Sequence, residues 1–257
     1  MKFIIKTALP FLCVLFLTNC GESKKLVSTK NNKSIEPSID KILVFTKTNG
    51  YRHKSIEKGV QTLKELGASN AFVVTQTEDS LDFNTANLKN YKTVVFLNTT
   101  MDVLGTEQEN SFKKYINDGG SFMGIHAACD TEYEWQWYGK LVGAYFNGHP
   151  NNPNVREALI NVVNKKHAAT KHLNDTWKRA DEWYNYKEIN PDVKVIMKLN
   201  ENSYEGGTNG ENHPIAWYHE FDGGRAFYTG GGHTKESFDE PDFRKHLIGG
   251  LFYCLGR

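Results

Sequence analysis

The sequence predicts an α/β fold in which a mainly parallel sheet is covered by helices on both faces, and three observations support this prediction. Short runs of consecutive apolar residues, typical of strands buried on both sides, alternate with segments whose apolar residues recur at helical spacing. Glycine-containing turns separate these segments. Polar residues follow the runs directly, and in such sheets ligands bind at the carboxyl ends of the strands.

Strands and helices alternate through the first half of the chain. The predicted strands span residues 41–46, 71–75, 93–97 and 122–125. Apolar residues at helical spacing predict one helix that begins near Ile56 and ends at Gly67, and a second over 106–118 that Gly119-Gly120 stops. This order is that of a doubly wound, flavodoxin-like three-layer sandwich.

The pattern changes from about residue 150. Further strands are predicted over residues 158–163, 193–199, 214–218 and 225–229, and a closing helix over residues 242–255. Turns rich in Asn and Gly join them, and no repeat or low-complexity segment sets them apart from the first half. We therefore expect these strands to continue the same sheet with long inserted loops, so that residues 39–257 form a single domain.

Residues 1–19 are predicted to be the signal peptide of a bacterial lipoprotein. Two early lysines precede an apolar run over residues 8–17, which is too short to span a bilayer. The run ends in Leu-Thr-Asn-Cys-Gly, which resembles a lipobox and makes Cys20 the expected site of lipidation. The alternative is an ordinary secretory signal that is cleaved nearby.

Residues 20–38 are polar, lack a hydrophobic pattern and are predicted to be a flexible tether. Together with Cys20, the tether predicts a domain held at the bacterial cell envelope, with the lipid anchor as its only contact with the membrane. The formal net charge of +1 gives no electrostatic reason to expect nucleic acid as a partner. The oligomeric state and the membrane leaflet stay open.

Composition and motifs narrow the classes of function. Aromatic residues make up 12% of the chain, and their flat faces suit sugar rings as well as protein cores. The sequence contains no GxSxG, GxGxxG, Walker or HExxH pattern, so neither serine hydrolysis nor a nucleotide cofactor is indicated. Cys129 and Cys254 form no CxxC pair and indicate no disulfide framework.

Histidines and carboxylates recur in tight turns or beside aromatic residues. They are His126 with Asp130, His149 in Gly-His-Pro, Asp181-Glu182 before Trp183-Tyr184, His213 near Trp217, and His233 after three glycines. Neutral imidazoles with a carboxylate form a natural site for a divalent transition metal such as zinc. The same groups also suit general acid–base chemistry without a metal. Both alternatives are open at this point.

Taken together, these strings resemble the ThuA-like (trehalose utilisation) family. They are Gly124-Ile-His-Ala-Ala-Cys-Asp130, Trp137-Tyr-Gly-Lys-Leu-Val-Gly143, Gly148-His-Pro150, Asp181-Glu-Trp-Tyr184, His213-Pro-Ile-Ala-Trp217, Gly224-Arg225, Tyr228-Thr229 and Gly232-His233. The resemblance runs from about Lys41 to the C-terminus and includes the loop Tyr51-Arg-His53. It implies a class I glutamine amidotransferase-like fold and a role in carbohydrate catabolism. Members of that superfamily often carry a cysteine at the elbow that His126 occupies here, so amidotransferase chemistry is not implied.

The predicted function is that of a carbohydrate-active enzyme, of hydrolase, lyase or isomerase type, acting on a saccharide or keto-sugar. The alternative is a sugar-binding module without catalysis. The expected catalytic residues, which are also the ligands of any divalent metal, are His126, His149, Glu182 and His233. The expected substrate-binding residues are His53, Asp130, Asp181, Trp183, Tyr184, His213, Trp217 and Arg225.

The sequence also predicts how these residues are placed. His126 is expected directly after a central parallel strand, at the carboxyl edge of the sheet, because the apolar run 122–125 ends in it. The four catalytic candidates are expected to converge on one cavity. Trp183 and Trp217 are the expected walls of a sugar site, with core packing as the alternative, and Arg225 is expected to pair with a carboxylate such as Asp181.

Overall fold

Strands and helices alternate along the computed structural model, which describes residues 39–257. The strands are β1 (Asp40–Phe45), β2 (Phe72–Thr77), β3 (Thr93–Leu97), β4 (Ser121–Ile125), β5 (Tyr145–Phe146), β6 (Val155–Val162), β7 (Thr176–Glu182), β8 (Tyr186–Lys187), β9 (Lys194–Asn200), β10 (Pro214–Phe221) and β11 (Gly224–Thr229). The helices are α1 (Ile56–Ser69), α2 (Thr85–Leu88), α3 (Thr106–Asn117), α4 (Gln136–Val142) and α5 (Pro241–Leu255). The predicted signal peptide, Cys20 and the predicted tether lie outside the described residues.

Nine of the strands form one mixed sheet in the order β2-β1-β3-β4-β11-β10-β9-β6-β7. The strands from β2 to β11 run parallel, whereas β10, β9, β6 and β7 each run antiparallel to the neighbour before them. Strands β5 and β8 pair separately. The predicted α/β class and the continuation of one sheet beyond residue 150 are confirmed.

Helices cover both faces of the parallel half. Phe96 and Leu97 are neighbours in β3 and so point to opposite faces. Phe112 of α3 stacks on Phe96 with ring centroids 5.4 Å apart, whereas Gly59 of α1 packs against Leu97. Helix α4 shares the face of α3, and α5 shares that of α1. This arrangement gives the predicted three layers.

Burial explains which strands the sequence predicts well. Every residue of β3 and of β4 is buried, so both strands are continuous apolar runs. In β7, by contrast, buried and exposed residues alternate, and its buried face carries Trp177, Arg179 and Asp181. The sequence does not predict β7, because two of these three inward residues are charged.

Three loops at the carboxyl edge of the parallel half, together with the end of β7, position the candidate site. The loops follow β1, β4 and β11, and they carry His53, His126 and His233. Glu182 is the last residue of β7. Within residues 39–257, no helix is long and apolar enough to cross a membrane.

Candidate functional site

His126 occupies a strained turn at the carboxyl end of a central strand. It directly follows β4, which lies between β3 and β11 in the sheet, and it begins a 3-10 turn over His126–Cys129. Its φ of +50° is in the left-handed region, which a non-glycine residue adopts only at a cost. This placement at the carboxyl edge is the one that the sequence predicts.

Four side chains from separate parts of the chain converge on one point. His53, His126, Glu182 and His233 each offer a ligand atom, and these atoms all lie within 4.8 Å of one another. The Oε2 of Glu182 is 2.9 Å from Nδ1 of His233 and 3.3 Å from Nε2 of His126. The three imidazole rings are nearly perpendicular to one another, with centroids 4.9 to 5.3 Å apart.

The ring nitrogens in this cluster lack ordinary hydrogen bonds. Within residues 39–257, the buried Nδ1 of His53 has no hydrogen-bond partner, and Nε2 of His126 and Nδ1 of His233 face the Oε2 of Glu182 without the geometry of a hydrogen bond. The other nitrogen of His126 is satisfied, because its Nδ1 lies 2.8 Å from the carbonyl oxygen of Gly230 and donates to it. This bond leaves the lone pair of His126 on Nε2, which is directed at Glu182.

Burial and neighbouring groups shift the pKa values of His53 and Glu182 in the cluster. Burial and, to a smaller extent, the neighbouring imidazoles of His126 and His233 lower the pKa of His53 to about 2, so His53 is neutral. Burial alone would raise the pKa of Glu182, but the adjacent His126 and His233 outweigh it and hold that pKa well below its usual value. The donor set is therefore three nitrogens and one carboxylate oxygen.

His149 stands beside this cluster and is partly open to solvent. Its Nε2 is 3.6 Å from the Oε1 of Glu182, and 25% of its side chain is exposed. Its Nδ1 lies 2.8 Å from the carbonyl oxygen of Pro150, which fixes the proton on that nitrogen. The ring lies parallel to that of Tyr184, with centroids 5.9 Å apart. His53 thus takes the place in the cluster that the sequence analysis gave to His149.

One residue of the site escaped the sequence analysis. The Nδ2 of Asn154 donates to the Oε1 of Glu182 at 2.6 Å and lies 3.4 Å from the Nε2 of His233. Asn154 belongs to the Asn- and Pro-rich loop before β6, where one asparagine looks like any other in the sequence. Only its position over Glu182 distinguishes it.

Asp130 and Tyr184 also border the cluster. The ring of Tyr184 packs on that of His126, with centroids 4.2 Å apart. The carboxylate of Asp130 accepts a hydrogen bond from the hydroxyl of Tyr133. Burial raises the pKa of Asp130, although Tyr133 and the charges of His126 and His149 act in the opposite direction. Both residues therefore stay candidates for contact with a substrate.

Three residues expected to bind substrate lie inside the core instead. Trp183, His213 and Trp217 are fully buried. The indole nitrogens donate to backbone carbonyls, that of Trp183 to Arg156 and that of Trp217 to Val142. Both nitrogens of His213 are also engaged, by Glu201 and by the carbonyl of Tyr184. The expected tryptophan walls are therefore wrong, because neither indole offers a face to a ligand.

The expected roles of Arg225 and Asp181 also need correction. Arg225 is exposed near the amino end of β11, at the edge of the sheet opposite His126, so it is too far away to bind the same ligand. Asp181 pairs with Arg179, at 3.2 Å, rather than with Arg225. Asp181 is fully buried behind the cluster, where it accepts hydrogen bonds from the protein itself.

The cysteine near the elbow is not suited to nucleophilic attack. Burial raises the pKa of Cys129 well above its usual value, so the thiol stays protonated. Its Sγ lies 3.1 Å from the hydroxyl of Tyr228, which donates to the carbonyl of His126 at 2.8 Å. Cys129 and Cys254 are both free thiols. The geometry agrees with the expectation that amidotransferase chemistry does not apply.

Comparison with solved structures gives proteins of the same fold. A ThuA-like protein from Bacteroides uniformis is 23% identical, with a TM-score of 0.71, over 84% of this chain and 91% of its own. A second, from Parabacteroides merdae, is 17% identical, with a TM-score of 0.63, over 86% of this chain and 91% of its own. A β-galactosidase from Bacillus circulans sp. alkalophilus is 13% identical, with a TM-score of 0.55, over 85% of this chain and 31% of its own.

Sequence comparison assigns the family. No curated protein matches the chain. The model of the ThuA family, described as trehalose utilisation, matches residues 41–254, which is nearly all of the described structure. The resemblance stated from the motifs is thereby confirmed, and its link to carbohydrate catabolism comes with it. The chain belongs to the ThuA (trehalose utilisation) family.

Proposed function

We propose that this protein is an enzyme of carbohydrate catabolism that acts on a saccharide or keto-sugar beside the His53–His126–Glu182–His233 cluster. The observation that carries this proposal is the convergence on one carboxylate of three buried imidazole nitrogens, none of which makes a well-formed hydrogen bond. A module that only recognises sugars needs hydroxyl, amide or charged groups that face its ligand. It has no need of several buried titratable groups around one point.

The cluster fits a divalent transition metal, for which zinc is the first choice. Three imidazole nitrogens and one carboxylate oxygen are ligands that zinc commonly takes. Buried nitrogens without well-formed hydrogen bonds are costly, and a bound cation would satisfy all three. The bond from Nδ1 of His126 to the carbonyl of Gly230 is the kind of outer contact that orients a metal-binding histidine. When bound, the ion would act as a Lewis acid on an oxygen of the substrate.

His149 is the group best placed to move a proton. The histidine ligands lie deeper in the protein, whereas the Nε2 of His149 carries a lone pair and its side chain reaches solvent. Its ring is held against Tyr184, so it keeps one orientation beside the cluster. We assign His149 as the general acid or base and Asp130 as a second carboxyl group that binds a substrate hydroxyl.

An exposed tyrosine offers the sugar a surface beside the cluster. The ring of Tyr51 meets that of His53 edge to face, with centroids 4.8 Å apart, and Tyr51 is 60% exposed. Its carbonyl accepts from the Thr100 hydroxyl at 3.2 Å, and this bond holds the loop to the end of β3. We assign to Tyr51 the stacking role that the sequence analysis gave to Trp183 and Trp217.

The envelope location rests on the N-terminal sequence. The run ending in Leu-Thr-Asn-Cys20-Gly resembles a lipobox, and the polar segment 20–38 would separate the lipid from the folded domain. We propose that Cys20 anchors the protein to the cell envelope, where it would meet sugars outside the cytoplasm.

Metal analysis combined with a turnover screen tests the proposed function. The purified mature protein would be analysed for bound metal, and glycosides and 3-keto-glycosides would be screened with and without added Zn²⁺. We expect about one metal ion per chain, as a four-ligand site implies, and turnover that is lost in His126→Asn. Saccharide binding without turnover, whatever the metal content, would instead identify a sugar-binding module.

A further inference from the structure

We infer that Asp181 is a positioning residue, which holds Glu182 and His233 at the distance from His53 and His126 that metal binding needs. This inference rests on the proposed function, because it concerns the metal site proposed there. It gives Asp181 a role that needs no contact with the substrate. The hydrogen bonds of the Asp181 carboxylate join two separate segments of the chain.

Both oxygens of Asp181 are occupied by groups next to the cluster. Oδ1 accepts from the backbone N–H of Glu182 at 2.9 Å and from that of His233 at 3.1 Å. Oδ2 accepts from the backbone N–H of Gly232 at 2.8 Å and from the hydroxyl of Ser237 at 2.9 Å. One carboxylate thus connects the end of β7, which carries one ligand, to the loop after β11, which carries another.

A buried ion network in turn fixes the carboxylate of Asp181. The Nη2 of Arg179 is 3.2 Å from Oδ2 of Asp181, and its Nε donates to Glu240 at 2.9 Å. The guanidinium lies over the rings of Trp177 and Phe243, at 4.9 and 4.5 Å from their centroids. Movement of the guanidinium away from Asp181 would break its contacts with both rings.

The glycines before His233 make this arrangement possible. A Cβ at position 231 would collide with the guanidinium of Arg179, so the backbone can approach the ion pair only because Gly231 has no side chain. Gly232 has a φ of +118°, which directs its N–H to Asp181. The loop is therefore built around Asp181 and not around a ligand phosphate or a plain turn.

Groups that orient the ligands of a metal without touching the metal commonly change its affinity ten- to a hundredfold. Asp181 contacts the backbone of two of the four proposed ligands through Oδ1. Its Oδ2 also accepts from the backbone N–H of Gly232, next to His233, and the amide nitrogen of an asparagine cannot accept that bond. Asp181→Asn keeps the size of the side chain but replaces one acceptor oxygen with a donor. It should therefore displace Glu182, His233 or both while the fold persists.

The test measures binding of Zn²⁺ alone, by competition with a chromophoric chelator, and the visible spectrum of the Co²⁺ form. Asp181→Asn is expected to weaken Zn²⁺ binding by about ten- to a hundredfold and to change the Co²⁺ spectrum. Asp175→Asn is the matched control, because Asp175 directly precedes β7 and is 88% exposed beside Lys165. It should leave affinity and spectrum unchanged. Ser237→Ala removes one donor to Asp181 and should weaken Zn²⁺ binding by less than Asp181→Asn does.

The outcomes separate this inference from the proposed function. Unchanged affinity and an unchanged Co²⁺ spectrum in a folded Asp181→Asn protein would overturn the positioning role alone. If Asp181→Asn shows no cooperative unfolding, Ser237→Ala decides: a loss of affinity supports the role, and an unaltered affinity overturns it. A wild-type protein that binds neither ion would refute the metal site itself, and the inference would fail with it.

Discussion

The Nε2 of His126 lies 3.3 Å from the Oε2 of Glu182, although four strands separate β4 from β7 in the sheet. His126 directly follows β4, and Glu182 ends β7. The histidine cluster therefore joins the carboxyl edge of the parallel half of the sheet to the last strand of the antiparallel half. Only the folded chain brings these two residues together, so a metal bound by both would stabilise the folded state.

Zinc is therefore expected to stabilise the protein. At a free concentration a hundred times the dissociation constant, the gain in the free energy of unfolding should be about 2.7 kcal/mol. Differential scanning calorimetry with and without Zn²⁺ measures it. His126→Asn removes one ligand and suits the φ of +50°, so the variant should fold but lose the zinc-dependent gain. His172→Asn, which changes a histidine outside the cluster, should keep it. An equal gain in His126→Asn would contradict the metal site.

Much of the fold and part of the site could be predicted from the sequence. The apolar runs of β3 and β4 report burial on both faces, and His126 stands out because it directly follows such a run. The sequence could not distinguish His53 from His149 as the fourth member of the cluster. Both occur in polar loops, and the choice depends on how the loop after β1 folds over the end of β4.

The sequence could not show that two of the tryptophans are buried. Trp183 and Trp217 lie next to motif residues, yet both are buried in the core. There each indole nitrogen donates a hydrogen bond to a distant backbone carbonyl. Those carbonyls belong to Arg156 and Val142, far away in sequence. Only the tertiary fold determines which aromatic rings remain exposed.

Acid should destabilise the protein through its buried neutral histidines. Burial lowers the pKa of His246 to about 3 and that of His167 to about 4, from the usual 6.5. Below pH 6.5 the unfolded chain binds more protons than the folded one, so stability falls between pH 6.5 and 4. Above pH 6.5 the stability that these neutral histidines contribute is fully present. Each histidine contributes up to about 1.4 kcal/mol per pH unit.

Urea unfolding between pH 7.5 and 4.5 tests this prediction. His246→Asn can still donate to the carbonyl of Ala169, which Nδ1 of His246 now contacts at 2.9 Å, but it does not titrate. Its stability should fall less steeply with acid than that of the wild type. Lys245→Gln, an exposed neighbour on α5, should keep the wild-type slope. Parallel slopes for His246→Asn and the wild type would show that His246 does not carry the effect.

Cys20→Ser is expected to release the protein from membranes. The predicted lipid is attached through Cys20, and serine lacks the thiol that accepts it. Membrane fractionation of expressing cells measures the change, and the circular dichroism spectrum should be unaltered. Cys13→Ser, which alters the predicted signal peptide but not the acceptor, is the control and should stay with the membranes. Continued membrane association of Cys20→Ser would refute the lipid anchor.

Tyr51→Ala should weaken substrate binding and leave the chemical step intact. An exposed ring that stacks on a sugar contributes about 0.5–1.5 kcal/mol, so KM should rise by up to about tenfold while kcat changes little. Steady-state kinetics with the saccharide found in the turnover screen measures both. Tyr51→Phe keeps the ring and should behave like the wild type. Leu81→Ala removes an exposed apolar side chain elsewhere and should also have no effect. A wild-type KM in Tyr51→Ala would show that Tyr51 does not contribute to substrate binding.

His149→Gln separates proton transfer from metal binding. The ring of His149 lies outside the four-ligand cluster, so the variant should bind Zn²⁺ with wild-type affinity. Loss of a general acid or base lowers kcat by about 10²–10⁴-fold, and kcat should fall by that much. Stopped assays at saturating substrate and chelator competition for Zn²⁺ give the two quantities independently. The sequence alone predicts that His149 and His126 are both ligands of any metal. Comparing His149→Gln with His126→Asn therefore tests whether His149 is a ligand. If His149→Gln loses metal and activity together, His149 is a ligand and another group must carry the proton.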